Sequence, residues 1–235
     1  MTAALAAVVA VAGFLGTPVF VGILALLVLG FAYGWPRLLG LPWAAGSSVV
    51  LALAGLGSLA SVLAIDEHTL ASLPFVAAAG LVLSFVGEML RRDGRSGLVE
   101  SLSGTVGGLV VAACAGGWVA VLYGASGERV VAIAAATVAV TTVVAATLPW
   151  SSWGNVLLTV GVGAGIGAAA AATLPDVQVS AGVWLGVGAG VMTAAMHVLL
   201  ALVPAARTRM GGAAAAIVPL LIGGVLVHVV ASVVV

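Results

Sequence analysis

Between Glu88 and Gly104 the chain gathers three arginines, three acids and three serines: Glu88, Arg91, Arg92, Asp93, Arg95, Ser96, Glu100, Ser101 and Ser103. Arginine carries a planar fork of donors that fits phosphate and carboxylate oxygens in pairs. Arg91, Arg92 and Arg95 are therefore candidates for binding a phosphate or lipid headgroup. A second reading needs only their charge. A basic loop marks one side of a bilayer, and Glu88 can pair with Arg91 and Arg92 at helical spacings of three and four. Glu88 is the one acid lying within a long apolar run, about one turn from its end. Ser84, four residues earlier on the same helix face, is the partner that spacing suggests.

His197 and His228 join Glu88 as the candidate polar core or path. From the rise of a helix, His197 lies roughly 9 Å and His228 roughly 22 Å from the same membrane edge, too far apart to share a metal. Thr193 and Ser232 sit one turn from each and are the expected local partners. Either histidine can be a neutral, hydrogen-bonded core group or part of a proton or substrate path. Cys114 is the single cysteine, which excludes an internal disulfide and a cysteine metal cage. No catalytic constellation, metal set or cofactor motif is expected.

The elements that hold these groups are set by composition. The chain is 63% hydrophobic and 6% charged, against about 25% charged residues in water-soluble domains. Residues 1–36, 38–65, 130–175, 177–206 and 210–235 contain no Asp, Glu, Lys or Arg. A bilayer core takes about 20 apolar helical residues to cross. Spans are expected at 47–65, 73–90, 105–123, 130–148, 155–174, 181–203 and 213–235. The run from Thr2 to Tyr33 is broken by Gly16-Thr17-Pro18, so one helix should stop near Leu15 and another start at Pro18. The first piece is about 14 residues or 21 Å long, a short span or a re-entrant segment. The expected fold is an all-α, polytopic transmembrane bundle of nine helices, with residues 1–235 as one integral membrane domain.

Lysine is absent, and six of the seven arginines fall in alternate gaps. The gaps at 34–46, 91–104, 149–154 and 204–212 hold Arg37, Arg91, Arg92, Arg95, Arg207 and Arg209. The opposite gaps hold Arg129 with Asp66, Glu67, Glu128 and Asp176. Excess arginine marks the cytoplasmic face, so the C-terminus is expected outside a cytoplasmic membrane. A cleaved signal peptide is not expected, because no positive residue precedes the first apolar stretch.

Pro149, Pro175 and Pro204 follow expected helix ends, and Ser48, Ser72, Ser103, Ser152 and Ser180 are placed to cap helix starts. Tyr33, Trp35, Trp43, Trp150 and Trp153 fall at inner ends, and Trp118, Tyr123 and Trp184 towards outer ends, as interfacial anchors would. Gly182, Gly186 and Gly190 lie at spacing four on one face. Gly161/Gly165, Gly163/Gly167 and Gly104/Gly108 repeat the pattern, which lets helices approach closely. Thr137/Thr141 and Asn155/Thr159 read as interhelical or back-bonded polar pairs.

The stretch FVGEMLRRDGRSGLVESLSGTVGGLVVAACAGGWV at 85–119, with GWPRLLGLP at 34–42, resembles a family of actinobacterial membrane proteins labelled "permease". That resemblance covers most of the chain and brings no substrate. More remotely the layout is similar to phosphatidate cytidylyltransferase, in its broken first helix pair, nine helices, Ser152-Trp153-Gly154 turn and final inner loop. That resemblance implies lysine, aspartates and a His-Gly-Gly signature in the last two inner gaps, holding magnesium and nucleotide. Residues 149–154 and 204–212 contain no acid, lysine or histidine, so cytidylyl transfer is not expected.

Three functions follow as expectations. The first is a non-catalytic, permease-like protein that handles a lipid or small amphiphile, with anionic phospholipids as its partners. The second is a scaffold or subunit packing with a partner protein or another copy. The third is an enzyme acting on a phospholipid or polyprenyl phosphate through residues 88–104. With no net charge and no long gap, there is no nucleic-acid surface.

Overall fold

The computed structural model describes the chain apart from residues 66–68, 93–95, 125, 148–151, 175–176 and 235, and apart from the side chains of 152, 201, 207, 209 and 234. The described residues are helices joined by short connections, with no strand. They are α1 (Thr2–Ala12), α2 (Thr17–Leu38), α3 (Ala44–Ala64), α4 (Leu73–Leu90), α5 (Leu98–Ala113), α6 (Gly116–Leu122), α7 (Gly127–Thr147), α8 (Ser152–Thr173), α9 (Val179–Ala201) and α10 (Arg209–Val234). Helices α5 and α6 are two halves of one rod. Counted that way, eight helices among the described residues are long and apolar enough to cross a membrane, and α1 is shorter. The expected all-α bundle is the fold found, and the protein is a multi-pass membrane protein by the length and composition of its helices.

The break between α1 and α2 falls where Gly16-Thr17-Pro18 predicts it. Gly16 holds φ at 97°, which only glycine adopts without strain, and Thr17 is already helical. The α5 helix starts earlier than expected, at Leu98 rather than 105, because Gly97 turns the chain through a left-handed φ of 65°. The polar stretch is thus helix at both ends, at 88–90 and 98–104. None of the described serines expected to cap makes a side-chain cap. Ser48 donates instead to the Ala44 carbonyl at 2.8 Å and Ser103 to that of Glu100 at 3.3 Å. A hydroxyl in a lipid-facing helix is best satisfied by the carbonyl one turn back, and capping loses that competition. Pro149, Pro175 and the Ser152 side chain lie outside what is described.

Glycine decides which helices touch. A Cβ on Gly186 would overlap the Gly163 carbonyl, and one on Gly167 would overlap that of Gly182. Helices α8 and α9 therefore meet backbone to backbone. Gly161 and Gly165, on the other face of α8, have nothing within 4 Å. The same device joins α6 to α10 at Gly117 and Gly224. Here Trp118 departs from the expected interfacial position. It is fully buried and donates its indole N–H to the Leu220 carbonyl at 2.7 Å. Tight i+3 turns at Ala115 and Gly117 break the α5–α6 rod and aim this ring inward. Tyr33, Trp153, Trp184 and Tyr123 are exposed, as anchors require.

Packing brings the arginine-bearing gaps to one end. Gly34 lies against Ala214 and the Met210 carbonyl, and Pro42 covers Gly97. Thr147, Leu200 and Gly212 line one cavity there. At the other end Gly13 packs on Val131 and the Glu128 carbonyl.

Candidate functional site

Two places bring the sequence candidates together, both at the arginine end. The first lies where α3, α4 and α5 meet. Glu88 and Arg91 are both buried and form an ion pair of 3.2 Å, the i+3 pairing that the sequence suggests. Arg91 also donates through Nη2 to the Ser96 carbonyl at 2.8 Å, holding Ser96 against the end of α4. The other carboxylate oxygen of Glu88 accepts from Ser101, one turn into α5. Ser84 takes no part and donates to the Gly80 carbonyl at 2.8 Å. The network continues upward. Thr105 donates to the Ser101 carbonyl at 2.7 Å, and its oxygen lies 2.7 Å from that of Ser47 on α3.

Trp43 closes this cluster by lying over Gly46 and Gly87, and Trp35 lies over Gly108 while donating to the Gly104 carbonyl at 2.9 Å. The residual space between Trp43, Ser47, Ser84, Glu88 and Thr105 does not admit a water. Both oxygens of Glu88 are thus taken by protein donors in a dry, filled setting. Arg92, by contrast, is exposed, while Asp93 and Arg95 lie outside the described residues. Glu100 is exposed on the first turn of α5, where a negative charge favours the helix dipole. No group of three His, Cys, Asp or Glu side chains among the described residues is set to hold a metal.

The second place is a cavity of about 470 Å³ between the ends of α1, α7, α9 and α10. Its walls are mostly apolar, with Thr2, Thr142, Thr147, Thr193 and His197 as polar points. Thr193 does not serve His197 as a donor. It gives its proton to the Ala189 carbonyl at 2.8 Å, as Thr142 does to Val138 at 2.7 Å. Among the described residues the His197 ring has no hydrogen-bond partner, and it is open to the cavity. His228 is half-buried in α10, well away from this cavity, and Ser232 donates to the Val229 carbonyl rather than to it. The two histidines therefore do not form a common site.

Sequence reasoning missed Ser101 as a partner of Glu88, and Thr105 and Ser47 as the hydroxyls that extend its network, because they come from neighbouring helices. Their only local signal is spacing, with Ser101 and Thr105 four residues apart on one face. It also missed the cavity. Among the polar pairs, Thr137 and Thr141 are back-bonded, and Asn155 reaches across to the Ala145 carbonyl of α7 at 3.1 Å. The chain matches no protein-family model, no curated protein and no solved structure.

Proposed function

We propose that this is a permease-like membrane protein that holds a lipid or small amphiphile in the cavity beside His197, at a cytoplasmic arginine-rich end. The observation that supports this reading is the cavity itself. Its volume falls in the range of about 300–1,000 Å³ usual for ligand pockets, and it combines apolar walls with few polar points. It lies between helix ends, the level at which the two halves of an amphiphile would separate. Exposed Arg92, at the same end of the bundle, adds a cation for anionic phospholipid at that surface, worth about 1 kcal/mol.

The test is photolabelling of the full chain in bilayers by a lipid with a diazirine on its acyl chain, followed by peptide mapping. Label should concentrate on Met196, Leu200 and Ala216. A Met196→Trp variant should lose it by filling the space. Label spread evenly over the outward face of α8, and unchanged by Met196→Trp, would remove the basis for this reading.

One observation favours a scaffold as second reading. Gly161 and Gly165 leave an open small-residue face on α8, opposite the face that grips α9. An enzyme working through residues 88–104 has less support, since it needs Glu88 with a free oxygen and both are hydrogen-bonded.

A further inference from the structure

Deeper along the seam between α7, α9 and α10 lies a second, smaller void of about 20 Å³. Its lining sits one turn further along each of the three helices that wall the cavity beside His197. On α7 it has Val138 where the cavity has Thr142, on α9 Met192 where the cavity has Met196, and on α10 Gly223 where the cavity has Pro219. The two spaces therefore lie end to end. The side chains around the smaller one, with Leu185 at its far end, carry no hydroxyl, amide or charge. Its volume would admit about one water, but a buried water needs about two to four polar partners, so the void stays dry.

Met192 stands between them. It is buried, and its methyl carbon reaches to 3.7 Å from the place a Cβ on Gly223 would take. The Trp118 ring comes to 3.3 Å from the same point, so the missing side chain at 223 is what lets both crowd onto α10 there. Met196, one turn nearer the arginine end, forms the cavity side of the partition. Methionine is unbranched, with three rotatable bonds, and stops an irregular gap well. Truncated to alanine, position 192 would leave one apolar slot running from the cavity toward Leu185. Such a slot is too narrow for a protein segment and offers a polar group nothing to bond, but it suits a single alkyl chain.

We infer that Met192 is the floor of the amphiphile site and sets the longest straight acyl chain it accepts. The inference rests on the amphiphile reading above and adds what that reading leaves open, the length of the chain, whatever the headgroup. Each methylene buried in an apolar wall strengthens binding about fourfold. That gain continues until the end of the chain meets Met192. A longer chain must leave its further methylenes outside, or push Met192 into a void with room for about one water. Either way the gain stops.

The test measures two straight-chain series on the purified full chain by native mass spectrometry, monoacylglycerols and lysophosphatidic acids, so that headgroup preference does not decide it. In a series that binds, affinity should rise about fourfold per methylene and then level off. In Met192→Ala it should go on rising through several further methylenes. Ala189→Leu, which refills the void from the neighbouring turn, should restore the parent's limit when added to Met192→Ala. A diazirine at the chain's end gives a readout on the parent itself. At and beyond the limiting length it should label Met192 or Met196 and spare Leu185, and in Met192→Ala it should reach Leu185. Should Met192→Ala fail to fold, the parent's label decides alone. Affinity with no limit, a limit that Met192→Ala leaves in place, or label on Leu185 in the parent would each overturn the inference while leaving an amphiphile site standing. Binding of neither series, or binding that persists in Met196→Trp, would overturn both.

Discussion

Arg91 and Arg92 are neighbours in sequence with opposite environments, and their substitution should separate two kinds of contribution. Arg91 is buried against Glu88 and the Ser96 carbonyl. Removing one partner of a buried ion pair costs about 3–5 kcal/mol, because the other charge is left uncompensated. Arg91→Ala should therefore lower thermal stability in detergent markedly, and Glu88→Ala/Arg91→Ala together should cost less than the sum of the two. Arg92→Ala, at an exposed position, should stay within about 0.5 kcal/mol of the parent. Equal melting temperatures for Arg91→Ala and Arg92→Ala would show that the ion pair does not brace the end of α4. Lipid binding should divide the other way. Arg92→Lys keeps charge and loses the bidentate fork, so bound anionic lipid should fall with it and not with a surface serine change such as Ser103→Ala. The i+3 pairing of Glu88 with Arg91 was legible because it is local. Ser101 and Ser47 were not, since only packing of α3, α4 and α5 brings their hydroxyls there.

At the scale of elements, glycine faces sort into those that bind and those that do not. Gly186 meets the Gly163 carbonyl, so Gly186→Leu should force α8 from α9 and cost at least the roughly 1–3 kcal/mol of an overpacked core. Gly161→Leu, facing open space, should be tolerated in the monomer. If Gly161→Leu destabilises as much as Gly186→Leu, α8 has a partner on its outward face and the scaffold reading gains. The spacing of four was readable for both faces of α8, but which face meets α9 depends on helix rotation, which nothing in the composition sets. Trp118 makes the same point. A tryptophan near a span end reads as an anchor, yet the tight turn at Cys114–Gly117 turns it into the core. Trp118→Phe should cost about 1–3 kcal/mol in thermal melts by leaving the Leu220 carbonyl without this donor.

For the whole molecule, helix number and the alternation of gaps followed from the uncharged runs, because the thickness of a bilayer dictates them. The cavity did not, because it is built from the ends of four helices whose mutual approach is tertiary. On the proposed function this cavity opens at the cytoplasmic, arginine-bearing end and receives an amphiphile. The direct measurement uses single reporter cysteines in a Cys114→Ala background, labelled with a membrane-impermeant thiol reagent in right-side-out and inside-out membrane vesicles. Met196→Cys and Ser96→Cys should react only in inside-out vesicles, Ser232→Cys only in right-side-out ones, and a long-chain alcohol should slow Met196→Cys but not Ser96→Cys. Reaction of Met196→Cys from the opposite side, or at a rate the alcohol leaves unchanged, would contradict the claim.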